Sequence, residues 1–171
     1  MAVHELGHCV ALWTTGGAVE RVVLHPLAIS RTDAAVNPSP LVTVWAGPVV
    51  GVVLPLAAWG LAAAARMPGS FVVRFVAGFC LVANSCYIGV GAVHAVGDAA
   101  EMLRLGTPRW CLATFGLVCV TAGLALWNGQ GSHFGFGPRA ERVPMSVALT
   151  TAAAAIVLSV VGAVFFPAKP G

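Results

Sequence analysis

The side chains best placed for chemistry in this chain are those of His4-Glu5-Leu6-Gly7-His8. They lie in an apolar run, Ala2 to Trp13, that reads as a helix. Residues four apart on an α-helix are separated by about 400° of rotation, so His4 and His8 fall on one face roughly 6 Å apart. Two imidazoles at that spacing can hold one Zn²⁺, and Glu5 then addresses the water on the metal rather than the metal itself. Zinc lowers the pKa of such a water to about 7, and a neighbouring carboxylate can take its proton as the oxygen attacks a carbonyl.

On a soluble surface helix the same residues would more often form a solvated face. Here the flanking residues are apolar or small, and no other charge occurs before Glu20. A carboxylate and two imidazoles in hydrocarbon are costly unless they bind something, which favours the metal reading. A catalytic zinc needs a third protein ligand and an open position. The stretch Gly89 to Glu101 is the natural source, because it is glycine-rich and ends in His94, Asp98 and Glu101. Glycines 89, 91 and 97 weaken a helix, and irregular backbone at membrane depth is tolerated where it lines a cavity. His94 and Asp98 are four apart and both remain open as the third ligand. Glu101 and Arg104, three apart, read as an interfacial ion pair. His25, beside Pro26, reads as a turn residue, and His133 sits in a Gly-rich loop.

The elements that must carry these residues belong to a membrane protein. Of 171 residues, 58% are hydrophobic and only 9% charged, against about a quarter charged in a soluble domain. The formal net charge of +3 is too small to argue for nucleic acid. The five cysteines lie inside apolar runs without C-x-x-C spacing and read as small buried hydrophobes.

The opening helix ends at Gly16-Gly17, a helix stop. About fifteen helical residues span some 22 Å, short of a hydrocarbon core of roughly 30 Å. A natural chain that begins further upstream is therefore expected. Ala18 to Thr32 is β-branched and partly alternating and reads as one or two short strands turning near His25-Pro26. Asp33 to Pro40 reads as a polar loop. Four apolar segments of near-spanning length follow: Leu41 to Ala65, Phe71 to Gly97, Trp110 to Trp127 and Met145 to Phe166. Asp98 to Arg109 reads as a connector. Gly47-x-x-x-Gly51 lets another helix approach closely, with no chemistry attached to it. Arg and Lys divide almost evenly between alternate sides, so the positive-inside rule sets no orientation. The expected fold is an all-α membrane protein, a multi-pass helical bundle with a short strand or hairpin segment after the first helix. It forms a single integral membrane domain over residues 1–171.

His-Glu-Leu-Gly-His running into Gly16-Gly17, the strand-like Val19 to Ser30, and Ala46-Gly47-Pro48 opening the next helix resemble the site-2 protease family of intramembrane zinc metallopeptidases. Asn84 followed by Asp98 at a helix end adds to the likeness, which covers roughly residues 1–105. The segments about 110–127 and 145–166 are additional transmembrane helices. One Zn²⁺ per chain is expected from the paired histidines, and His94 stays in reserve as a ligand on spacing and depth. The resemblance implies a zinc held by His4, His8 and Asp98. It implies Glu5 as catalytic base and Asn84 as a group positioning substrate or transition state. The substrate would be a membrane protein or peptide, unwound and paired against the strand-like stretch. The expected location is the lipid bilayer of a bacterial cytoplasmic membrane, with no nucleic-acid partner. The alternative is a non-catalytic zinc-binding membrane protein, a pseudoprotease or a metal carrier; retention of Glu5 favours catalysis.

Overall fold

A computed structural model of the protein describes residues 1–168. Helix α1 (Ala2–Thr14) is followed by strands β1 (Ala18–Val23) and β2 (Arg31–Val36). Helices α2 (Pro40–Ala64), α3 (Ser70–His94), α4 (Gly97–Arg104), α5 (Arg109–Trp127) and α6 (Met145–Phe165) complete the chain, with one turn of 3₁₀ helix at Gly131–Phe134. Helices α2, α3, α5 and α6 are each long and apolar enough to cross a membrane, which makes this a multi-pass helical membrane protein. Helix α1 packs on α2, α2 on α3, and α3 most extensively on α5. Small residues permit that last contact: a Cβ at Gly123 would lie 2.8 Å from the Gly78 carbonyl oxygen, and one at Gly116 would lie 3.4 Å from Gly89 Cα. Helix α6 touches the rest where Gly162 meets the Leu24 carbonyl and the Leu24 N–H donates to the Phe166 carbonyl at 3.1 Å.

Helix α1 stops where its glycines require. Gly16 takes the left-handed conformation at φ +77°. The Gly17 N–H returns to the Leu12 carbonyl at 2.7 Å, satisfying a terminal acceptor as a Schellman cap does. The chain leaves in the direction of β1, which pairs antiparallel with β2. Strand β2 begins at Arg31 and runs through Asp33 to Val36, so half of the expected polar loop is strand. Charge pairing accounts for this. Arg21 across the ladder and Arg31 on the same strand lie 3.5 and 3.3 Å from the Asp33 carboxylate, which offsets its poor strand propensity.

The glycine-rich end of the second long apolar segment, Phe71 to Gly97, also differs from expectation. Helix α3 continues unbroken through Gly89 and Gly91 to His94, and the chain reverses at Ala95, which is left-handed at φ +52°. The Val96 N–H closes on the Gly91 carbonyl at 3.2 Å. Gly91 serves approach rather than irregularity, since a Cβ there would lie 2.9 Å from Ala99 Cβ. The expected connector after Asp98 is helix α4. Its Ala99 and Met102 sink into a core made with Val44, Ile88, Ala92 and Leu112, while Glu101 and Arg104 pair outside, Nε to Oε2 at 2.7 Å. A fully buried methionine contributes about 1.5–3 kcal/mol. That core, together with the Arg109 guanidinium donating to the Ala92 carbonyl at 2.8 Å, folds α4 back across the end of α3.

Candidate metal centre

Asp98 stands in the first turn of α4, so the reversal that buries Ala99 and Met102 also swings its carboxylate toward α1. Its Oδ2 lies 2.7 Å from His4 Nε2 and 3.3 Å from His8 Nε2, and the two Nε2 atoms are 3.1 Å apart. One ligand atom from each of the three residues falls within 4.8 Å of the others. His4 and His8 are 2% and 8% exposed, and Glu5 beside them only 3%.

The protons on the imidazoles decide what this cluster can do. His4 Nδ1 lies 2.7 Å from Asn84 Oδ1, and His8 Nδ1 lies 2.8 Å from the Thr43 carbonyl oxygen. Both neighbours are acceptors, so each neutral ring donates from Nδ1 and presents a bare lone pair at Nε2. The Asn84 amide cannot be turned the other way without losing its own bonds. Its Nδ2 donates to the Cys80 carbonyl at 2.8 Å and to the Gly51 carbonyl at 3.4 Å. The Gly51 carbonyl is available because Pro55, four residues on, has no N–H to give it.

Two lone pairs and a carboxylate thus converge with no donor among them. When the Nε2 atoms carry protons instead, burial still pushes the Asp98 carboxyl up, but hydrogen bonds and charge from His4 and His8 outweigh it and hold the group at about 2, so Asp98 is an anion at neutral pH. A metal ion can take the place of those protons, because the three ligand atoms lie close enough together to hold one. Two nitrogens and an oxygen suit zinc, and ligands about 2.0–2.1 Å from a tetrahedral ion stand about 3.3 Å apart. The two His8 separations match that edge, and the His4–Asp98 separation is shorter. The donor set therefore fits a zinc ion with one position left for another ligand.

Close helix crossing makes room for the rings. A Cβ at Gly47 of α2 would collide with the His8 imidazole, one at Gly51 would lie 2.8 Å from Asn84 Oδ1, and one at Gly7 would collide with the Ala46 carbonyl. The Gly47/Gly51 pair, to which the sequence attached no chemistry, is thus where α2 accommodates His8 and the amide behind His4. Glu5 is held separately: Thr32 of β2 donates to its Oε2 at 2.9 Å. The cluster and Glu5 share the wall of a cavity of about 190 Å³, together with Ser30, Thr32, Ala34 and Tyr87.

The structure brings together His4, His8 and Asp98, with Glu5 beside them and Asn84 behind. Asn84 bonds to His4 through its Oδ1 at 2.7 Å and so orients that imidazole. His94 is exposed at the end of α3 and is not among the clustered ligands. His25 accepts from the Leu27 N–H within its turn, and His133 pairs with Glu141 at 3.0 Å. Thr32, Thr43, Tyr87 and Pro55 escaped the sequence reading, because nothing in their spacing relates them to residues on other helices. One result is expected from Asn84. Changing an outer hydrogen-bond partner of a ligand histidine typically costs 10–100-fold in metal affinity. Asn84→Ala should therefore weaken zinc binding by about 10–100-fold in a competition titration. Unaltered affinity would show that His4 does not depend on the amide.

Comparison with protein families, with curated proteins and with solved structures returns no match for this chain.

Proposed function

We propose that the chain is a zinc-dependent metalloendopeptidase of the site-2 protease type, which hydrolyses a peptide bond in a membrane-embedded or membrane-adjacent substrate. The observation that carries this reading is the convergence of one ligand atom each from His4, His8 and Asp98 beside a buried carboxylate that is not one of them. Zinc held there would polarise the substrate carbonyl and make a water nucleophilic near neutral pH. Glu5 takes one proton from that water as its oxygen bonds to the carbonyl carbon. It then returns the proton to the leaving nitrogen as the C–N bond breaks, giving a carboxylate and an amine. Thr32, by donating to Oε2, fixes the orientation of the carboxylate.

The strand at the cavity suits an extended substrate. Ser30, Arg31, Thr32 and Ala34, at and just before the start of β2, line the cavity. Strand β2 pairs on one edge with β1, and its other edge is available to an unwound peptide. A helical segment offers no such edge until it unwinds, which restricts cleavage to segments of low helix stability. The proposed setting is a bacterial cytoplasmic membrane.

The first test is metal content. The purified chain should carry about one Zn²⁺, and His4→Ala or His8→Ala should abolish it in elemental analysis. Zinc no higher in the parent chain than in the double variant would sink the reading.

A further inference from the structure

We infer that Tyr87 is a further catalytic residue of the proposed hydrolysis, its phenol donating a hydrogen bond to the substrate carbonyl oxygen as that oxygen gains negative charge. The inference rests on the metallopeptidase reading and adds to it the group that stabilises the reacting oxygen.

Tyr87 is fixed by its neighbours. It is the only tyrosine in the chain and lies on α3, one turn beyond Asn84. Its ring stands edge-on to His4, with centroids 5.6 Å apart. Its oxygen accepts the Asp98 backbone N–H at 3.2 Å. Gly97, at φ +58°, leaves space for that contact, since a Cβ there would collide with the phenol oxygen. The hydroxyl is therefore pinned beside a ligand residue as an acceptor, and among the described residues its own proton has no protein acceptor. Tyr87 also lines the cavity that holds the metal-ligand cluster and Glu5.

Elimination strengthens the assignment. Developing negative charge in a hydrolytic site needs an oriented donor, and removing one such donor costs about 10²–10³ in kcat. Most other side-chain donors around the cluster are committed, and Asn37, which also lines the cavity, accepts from Thr43 and bonds to none of the clustered residues. Thr32 donates to Glu5, Thr43 to Asn37 at 2.9 Å, Asn84 to two backbone carbonyls, and both histidines donate from Nδ1. Glu5 and Asp98 are acceptors when ionised. Arg31 is spent on Asp33, outside. Ser30 has a buried, unpartnered hydroxyl but bonds to none of the clustered residues. Tyr87 is left as the uncommitted neutral donor in contact with them. The phenol keeps its proton throughout, so the overall reaction remains addition of one water across the amide.

The test is Tyr87→Phe, with labelled casein as an unfolded substrate in detergent and a phosphinic tetra-alanine analogue as probe. The anionic tetrahedral group of the analogue copies the charge on the reacting oxygen. The variant should keep about one zinc per chain and its thermal midpoint, with KM little changed and kcat reduced about 10²–10³-fold. Affinity for the phosphinic analogue should fall by a comparable factor, while tetra-alanine itself binds as before. Unchanged kcat, or unchanged binding of the analogue, overturns the role. Loss of zinc overturns it as well, by assigning Tyr87 to the support of Asp98 alone. A parent chain that loads zinc yet cleaves no casein and gains nothing over Glu5→Gln overturns the peptidase reading, and this role with it.

Discussion

Glu5→Gln should leave zinc bound and the protein folded while lowering peptide hydrolysis by about 10²–10⁴-fold, the usual contribution of a positioned general base. The substitution isolates one property. Glutamine has the shape of glutamate, and its amide oxygen can still accept from the Thr32 hydroxyl that now bonds Oε2 at 2.9 Å. Buried at 3% exposure, the side chain has little space in which to take another pose. The three ligand atoms belong to other residues, so zinc stoichiometry should not move. What is lost is a carboxylate able to hold the water's proton. Paired elemental analysis and casein hydrolysis check both halves. Surviving activity would mean that Glu5 is not the base. Loss of zinc on changing Glu5 would make it a ligand and favour a metal carrier over a hydrolase.

How much of this was legible in the sequence depends on the distance over which each cause acts. Helix α1, its glycine stop and the four long helices follow from local periodicity, composition and caps, and they lie within a residue or two of the expected bounds, apart from the end of α3. The pairing of His4 with His8 is likewise local, a consequence of helical rise and twist. Strand β2 was only half visible, because Asp33 is a poor strand former until Arg21 from another strand stands beside it. Helix α4 was read as a connector, since an eight-residue helix is held by what it buries, here Ala99 and Met102, rather than by propensity. The glycines of α3 were read as sites of unwinding, whereas Gly89 and Gly91 admit neighbours to an intact helix. The groups that set the histidine tautomers, Asn84 and the Thr43 carbonyl, come from two other helices, so no spacing rule relates them to His4 and His8.

Asp98→Asn and His94→Gln should separate the two residues that sequence spacing left open as the third ligand. Asp98→Asn should lower zinc affinity by more than the 10–100-fold typical of an outer-shell change, and hydrolysis should fall with it. His94→Gln should leave both near the parent values. The reason is geometric and electrostatic together. Asp98 Oδ2 sits within 2.7 and 3.3 Å of the two Nε2 atoms, whereas His94 is exposed beyond the end of the cluster. Rotating His94 inward would require α3 to unwind, and its end is fixed by the Val96-to-Gly91 backbone bond and by Arg109 on the Ala92 carbonyl. Asp98 also supplies negative charge that offsets a dication between two buried imidazoles, which a third neutral imidazole cannot do. Asparagine keeps the backbone N–H that bonds Tyr87, and Ala99 and Met102 still hold α4, so the fold should survive. A competition titration against a chelator reads the affinities, and casein hydrolysis reads the activities. Should His94→Gln strip the metal while Asp98→Asn retains it, the reversal after α3 would have to open in solution, and the assignment of Asp98 would fall.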